Sequence, residues 1–234
     1  MNKSVFFLLF YIALAVQAGA QQKETGTTKH PFICGDTLKD IRDGKGYATV
    51  LIGSQCWMKE NLNTGIRIKG SIEQTNNGIP EKYCYDNLEE NCNIYGGLYQ
   101  WNEVMQYASS QKGQGICPGG WHIPADEEWE VLVAFLGGDI KAGHEMKESG
   151  VAHYQSPNVG ANNKSGFSSL PGGFSYATGS CFFDKISRVG YFWSSTPEND
   201  TDVWMRTLGN AIEKVGRHLN YKSTGISVRC VENQ

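Results

Sequence analysis

Residues 121–136 read Trp121-His122-Ile123-Pro124-Ala125-Asp126-Glu127-Glu128-Trp129-Glu130-Val131-Leu132-Val133-Ala134-Phe135-Leu136. Trp129, Leu132, Val133 and Leu136 stand at i, i+3, i+4 and i+7, which puts them on one face of a helix. Pro124 lies just before that run. Asp126, Glu127 and Glu128 place negative charge on the first turn, beside the positive end of the helix dipole. Gly137-Gly138 supplies the stop. The spacing therefore predicts an amphipathic helix here.

Toward the N-terminus, Leu98, Trp101, Met105 and Ala108 follow Gly96-Gly97 at near-helical spacing, predicting a second helix over about 98–109. Earlier still, the β-prone runs Thr37 to Arg42 and Tyr47 to Ile52 flank Asp43-Gly44-Lys45-Gly46 and read as a hairpin. Gly65 to Pro80 is polar and reads as a loop. Toward the C-terminus, residues 138–166 are polar and rich in Gly and Asn, a long connection of the kind that carries function or mobility. Then come Phe167 to Leu170, Gly173 to Tyr176, Tyr191 to Ser195, Val203 to Leu208, Ile212 to Val215 and Ile226 to Val231. These short aromatic or β-branched runs, separated by turn residues, predict an antiparallel meander. Two helices followed by strands indicate an α+β domain. Both helices and the meander are expected to share one core through Trp101, Trp129, Leu132, Leu136, Trp193 and Val228.

The first residues predict export. Lys3 precedes an almost unbroken apolar run, Val5 to Val16, and Ala18-Gly19-Ala20 has the small-x-small pattern of a signal-peptidase site. Residues 1–20 thus read as a signal peptide, 21–33 as a flexible leader and 34–232 as the folded domain. Gln21, not cysteine, follows Ala20, so no lipid anchor is expected. No later apolar stretch is long enough to span a bilayer, so no membrane insertion is expected after cleavage. The expected location is secreted, periplasmic or on the cell surface. The formal net charge is −3, and removing Lys3 with the signal peptide makes it −4. That balance, with no Lys/Arg cluster, excludes a phosphate-backbone binder, so no nucleic-acid partner is expected.

Seven cysteines in an exported chain read as disulfides plus one left over. None forms a C-x-x-C pair, which removes the basis for a zinc ribbon or a thioredoxin-like site. The five histidines are scattered, and His122 reads as a hydrogen-bonding core residue. Asp36, Asp40 and Asp43 fail the EF-hand pattern, because Leu38 or Arg42 would stand where the second ligand belongs. Pro197-Glu198-Asn199-Asp200-Thr201-Asp202 offers three carboxylates and an amide, oxygen donors of the type calcium takes, but reads as a solvated acidic turn before a strand. No catalytic residue, metal site or cofactor is expected.

Five separated segments carry a resemblance. They are Ile52-Gly53-Ser54-Gln55-Cys56-Trp57-Met58-Lys59-Glu60-Asn61-Leu62, Tyr95-Gly96-Gly97-Leu98-Tyr99-Gln100-Trp101, and Ile116-Cys117-Pro118-Gly119-Gly120-Trp121-His122-Ile123-Pro124 running into Glu128-Trp129. Tyr191-Phe192-Trp193-Ser194-Ser195 and Ser227-Val228-Arg229-Cys230-Val231 complete the set. In this order they resemble the Fibrobacter succinogenes major paralogous domain, common in secreted proteins of Bacteroidetes and Fibrobacteres. Trp121 to Glu130 with Ser227 to Cys230 is more distantly similar to the formylglycine-generating-enzyme branch of the C-type lectin fold. That similarity implies two helices and a small antiparallel sheet with long irregular loops. It does not imply the enzyme's activity, because the late pair of catalytic cysteines has no match: only Cys230 lies in the last fifty residues.

Six cysteines allow 15 pairings. Cys34 and Cys56 flank the predicted hairpin, Cys84 and Cys92 bracket a short polar turn, and Cys117 and Cys230 lie in two motifs shared with the family. The expected pairs are Cys34–Cys56, Cys84–Cys92 and Cys117–Cys230, with Cys181 unpaired. All six tryptophans read as core. Tyr154, Phe182 and Phe183, in the irregular segments 138–166 and 177–190, are the candidate ligand contacts, with the acidic turn 197–202 nearby. The resulting expectation is a non-catalytic binding or interaction domain whose partner is a glycan or an envelope protein. An extracellular enzyme, oxidase-like or glycan-active, is the rival, and a surface or fimbrial subunit is a third reading.

Overall fold

A computed structural model describes residues 32–108, 113–176 and 181–234. The predicted signal peptide and nearly all of the leader lie outside the described residues. The chain opens with strands: β1 (Thr37–Lys39), β2 (Gly46–Ile52), β3 (Gln55–Met58), β4 (Ile66–Arg67) and β5 (Glu81–Lys82). Helices α1 (Glu89–Tyr95) and α2 (Trp101–Val104) follow, then β6 (Trp121–His122), α3 (Asp126–Phe135) and α4 (Asp139–Met146). The rest is β7 (Gly172–Tyr176), β8 (Phe182–Ile186), β9 (Val189–Pro197), β10 (Asp202–Gly209), β11 (Gly216–Tyr221), β12 (Thr224–Gly225) and β13 (Val231–Glu232).

These strands overturn the expected α+β, C-type lectin-like arrangement of two helices followed by one small sheet. The described residues are mainly β and form four sheets, in the orders β1-β2-β3-β13-β6, β11-β10-β9, β12-β7-β8 and β4-β5. The reason is non-local pairing. The C-terminal β13 inserts between β3 and β6, so the first and last parts of the domain share one sheet.

Pairing also shortens the helix predicted over 98–109. The backbones of Leu98 and Tyr99 bridge to Tyr83 and Ile226, which withdraws them from a helix. Only Trp101–Val104 remains helical, and Gln106 and Tyr107 at φ 50° and 58° end it. Helix α3 lies where its periodicity placed it. The carboxylate of Glu128 accepts the Ala125 N–H at 2.8 Å, tying down the first turn. The predicted long loop 138–166 instead begins with α4, preceded by Gly138 at the positive φ of 94° that glycine tolerates.

The residues expected to share one core divide between two clusters, and a third, smaller one gathers Tyr83, Tyr85 and Leu98. Trp101, Trp193 and Val228 belong to one cluster, with Met58, Tyr99 and Trp121. Trp129, Leu132 and Leu136 belong to another, with Trp57, Phe167 and Phe192. The period of two in an extended chain explains the division. On β3, Cys56 and Met58 point into the first cluster and Trp57 into the second. On β9, Trp193 and Phe192 divide the same way, as do Cys230 and Val231 near β13. Trp204 departs from the all-core expectation, being half-buried on the outer face of β10.

Two of the buried cations, Arg229 and Lys147, are sealed off completely. Arg229 is fully buried, and its guanidinium donates to the Asn61 Oδ1 and to the carbonyls of Met58, Phe167 and Ser168 at 2.6–3.0 Å. It lies 4.5 Å from the centroid of the Phe167 ring. Burial pushes its pKa down to about 9, so it remains charged at neutral pH. Lys147 is also buried and donates to the carbonyls of Val159, Gly209 and Ile212 at 2.7–3.1 Å, tying down the segment that follows α4.

Disulfides join Cys34 to Cys56, Cys84 to Cys92 and Cys117 to Cys230. Cys181 is the free cysteine among the described residues, half-buried. Three disulfides indicate folding outside the reducing cytoplasm. Among the described residues no helix is long and apolar enough to cross a membrane.

Candidate ligand cleft

A cleft of about 340 Å³ opens where four segments distant in sequence meet. Its floor is set by two buried glutamines that bond each other's backbones. The Gln100 N–H donates to the Gln74 Oε1 at 2.7 Å, and the Gln74 N–H donates to the Gln100 Oε1 at 3.3 Å. Their side-chain amides also donate to backbone carbonyls, Gln74 to Glu81 at 3.1 Å and Gln100 to Ser223 at 3.0 Å. The turn after β11 is stitched in the same way. The Lys222 N–H donates to the Thr201 carbonyl, and the Trp101 N–H donates to the Lys222 carbonyl, both at 2.9 Å.

The rim is of opposite character. Glu73, Asn102 and Asp200 are exposed, and among the described residues their side chains form no hydrogen bond or ion pair with the fold. Tyr221 and Ser223 stand beside them, and the Lys222 ammonium lies 4.8 Å from the centroid of the Trp101 ring. A rigid floor with an unspent polar rim can hydrogen-bond a hydroxyl-rich ligand without first breaking internal bonds.

The residues singled out from sequence fall elsewhere. Tyr154 is not a loop contact. It is 1% exposed, and its hydroxyl lies 2.8 Å from the Ser169 Oγ, because Lys147 and its carbonyl partners pull this segment onto the core. Replacing Tyr154 by phenylalanine is expected to cost about 1–3 kcal/mol by stranding the buried Ser169 hydroxyl, with ligand affinity unchanged. Urea midpoints of the two proteins check this.

Phe182 is 52% exposed on β8, while Phe183 turns to the other face and packs 5.2 Å from Tyr85. Neither lines the cleft. Residues 177–180 of the predicted recognition segment lie outside the described residues, and the remainder forms β8, which pairs antiparallel with β7, and the turn into β9.

The acidic turn contributes Asp200 to the cleft, but its carboxylates do not converge. Glu198 accepts the Trp204 Nε1–H at 2.9 Å, and the Asn199 side chain caps Thr201 and Asp202. Among the described residues no group of three or more His, Cys, Asp or Glu is placed to hold a metal ion. His122 bridges Asn233 at 2.7 Å and Glu128 at 2.9 Å, tying the C-terminus to helix α3.

Two acids do meet in space. The Glu81 N–H donates to the Glu103 Oε1 at 3.0 Å, and the Tyr107 hydroxyl donates to the Glu103 Oε2 at 2.9 Å. Both carboxylates are buried and hold loops: Glu81 accepts the Thr75 N–H and an amide hydrogen of Asn77. Neither lines the cleft. Burial raises the pKa of Glu103 above the usual carboxylate range, against the hydrogen bonds it accepts.

A raised carboxylate favours the protonated fold. Its stabilising contribution is complete below the unfolded pKa and is lost as pH rises through the folded one. Wild-type protein should therefore lose melting temperature from the ordinary carboxylate range upward toward neutrality, and Glu103→Gln should flatten that part of the profile. Thermal melts across pH 4–8 decide it.

Sequence reasoning missed Gln74, Gln100, Asn102 and Tyr221, although Gly65 to Pro80 was legible as a polar loop. The model of the Fibrobacter succinogenes major domain matches residues 50–232. The chain belongs to this family. Within the Fibrobacter succinogenes major domain lie the whole cleft, both core clusters' tryptophans, Arg229 and the Cys117–Cys230 bridge. Cys34, β1 and the start of β2 precede the match. No curated protein and no solved structure matches the chain.

Proposed function

We propose that this chain is an exported binding module whose cleft takes a glycan and performs no chemistry on it. The rim of the cleft carries the reading. Glu73, Asn102 and Asp200 present carboxylate and amide groups unspent on the fold, above a floor locked by Gln74 and Gln100. Amides and carboxylates suit the alternating donor and acceptor demands of vicinal sugar hydroxyls, and the Tyr221 ring offers an apolar face. The buried setting of Glu81 and Glu103 favours binding over glycan hydrolysis, since acid–base pairs must reach the scissile bond.

Export rests on the signal-peptide pattern of residues 1–20 together with the three disulfides. Mass spectrometry of exported protein should give an N-terminus at Gln21, and a retained Met1 would reject it.

The binding test is a glycan array with residues 21–234, run with and without calcium. Asn102→Ala and Asp200→Ala should each weaken a positive glycan about tenfold, the loss of roughly one hydrogen bond, at unchanged melting temperature. Full affinity in both variants would remove the cleft from the reading.

A further inference from the structure

Outside the cleft, the same corner of the molecule carries an exposed apolar surface on a β-sheet. In the β10–β11 pair, Trp204 lies opposite Leu219 and Asp202 opposite Tyr221, so these four side chains share one face. The alternate residues Val203 and Met205 point the other way and are buried, which fixes the first set as the outer face. Tyr221 is 59% and Leu219 42% exposed.

Trp204 is held in place rather than loose. The guanidinium of Arg217 sits 3.4 Å from its ring centroid and is itself anchored on Asp126 at 2.7 Å, while the indole N–H goes to Glu198. Tyr221 belongs to both features: it lines the cleft and begins the apolar row. The row therefore continues the cleft.

We infer that the ligand is an oligosaccharide, of neutral or amine-bearing sugars, that leaves the cleft across Tyr221 and runs along the outer face of β10–β11 over Leu219 and the edge of Trp204. This deepens the glycan reading and rests on it. Same-face neighbours along a strand stand about 7 Å apart, so Tyr221 and Leu219 give successive apolar contacts to the faces of a linear sugar chain.

Charge selects the class. Glu73 and Asp200 at the cleft and Glu198 and Asp202 along the path are carboxylates. The nearby cations are directed elsewhere, Lys222 over Trp101 and Arg217 into Asp126. A chain of uronates would meet four carboxylates against two cations already engaged by the fold, a net like charge.

The test uses calorimetry with glucose, N-acetylglucosamine and glucosamine, their β-1,4-linked hexamers, and a hexamer of galacturonate, on residues 21–234. At least one neutral or amine-bearing hexamer should bind ten or more times tighter than its monomer, and the galacturonate hexamer should not bind. Leu219→Ser lies outside the cleft and should remove most of the gain with length while leaving the monomer affinity unchanged. Leu219→Thr, which keeps a strand-forming residue, controls for folding and should give the same loss. Equal affinity for monomer and hexamer, or an undiminished gain in both variants, would overturn the inference while leaving the cleft as a monosaccharide site. Binding of none of the sugars would overturn the glycan reading itself. A dimer that Leu219→Glu dissolves, with hexamer affinity intact, would assign the face to a second copy of the chain.

Discussion

Arg229→Met should lower the unfolding free energy by about 3–5 kcal/mol, a loss comparable to breaking a buried ion pair. Four acceptors on two segments converge on this guanidinium: Met58 at the end of β3 with Asn61 just beyond it, and Phe167 and Ser168 before β7. The acceptors on Asn61, Met58 and Phe167 would be left buried without this donor, at about 1 kcal/mol or more apiece, while the part-buried Ser168 carbonyl would lose less. Two effects oppose this. Methionine fills part of the space, and removing the charge relieves the desolvation that depresses the arginine pKa. The acceptors should win, because no water reaches a fully buried site between the Phe167 and Phe192 rings to replace the lost donors. Arg229→Lys should rescue little, since an ammonium is a point donor and cannot span the spread of a guanidinium fork. Urea denaturation gives the answer, and a methionine variant within about 1 kcal/mol of wild type would show that the carbonyls find other partners.

Removing the Cys117–Cys230 bridge by a double alanine replacement should cost about 5 kcal/mol, the largest disulfide effect in the molecule. The bridge closes a sequence separation of 113 residues, against 22 for Cys34–Cys56 and 8 for Cys84–Cys92. Loop-closure entropy then ranks the corresponding losses at about 5, about 3.5 and about 2.5 kcal/mol. Cys117 and Cys230 also lie in the first core cluster with Trp121 and Ile123, so their removal loosens packing where β13 joins β6. Denaturant midpoints of the three double variants should follow that order. A loss for Cys117–Cys230 no greater than for Cys84–Cys92 would mean that the unfolded chain is already compact across this span.

The cleft was hidden from the sequence for a reason visible in its composition. Gln74, Gln100, Asn102, Asp200 and Tyr221 come from four segments; Asp200 lies in the acidic turn and Gln100 in a family motif, but nothing in the pattern of Gln74, Asn102 or Tyr221 sets them apart from other residues of polar loops and turns. Gln74 and Gln100 are selected by each other's backbone, a partnership with no periodic signature. Tyr154 failed in the opposite sense. A tyrosine in a Gly- and Asn-rich stretch looks exposed, and only Lys147, reaching three carbonyls across the fold, folds that stretch inward.

What the amino-acid sequence determined by itself is the part of the structure that depends on near neighbours. The 3.6-residue spacing from Trp129 to Leu136, with acidic residues at its start, is sufficient for α3. Short aromatic and β-branched runs bounded by turn residues are sufficient for β9 and β10, and cysteines flanking short segments suit Cys34–Cys56 and Cys84–Cys92. The family follows as well, because its motifs are strings of adjacent residues. Tertiary structure alone decided the mainly β architecture, the end of α2 after one turn, the division of the core into separate clusters and the cleft. Each of these rests on backbone hydrogen bonds or burial between residues far apart in the chain. A strand's choice of partner is set by which distant edge is free to receive it, and no local spacing encodes that choice.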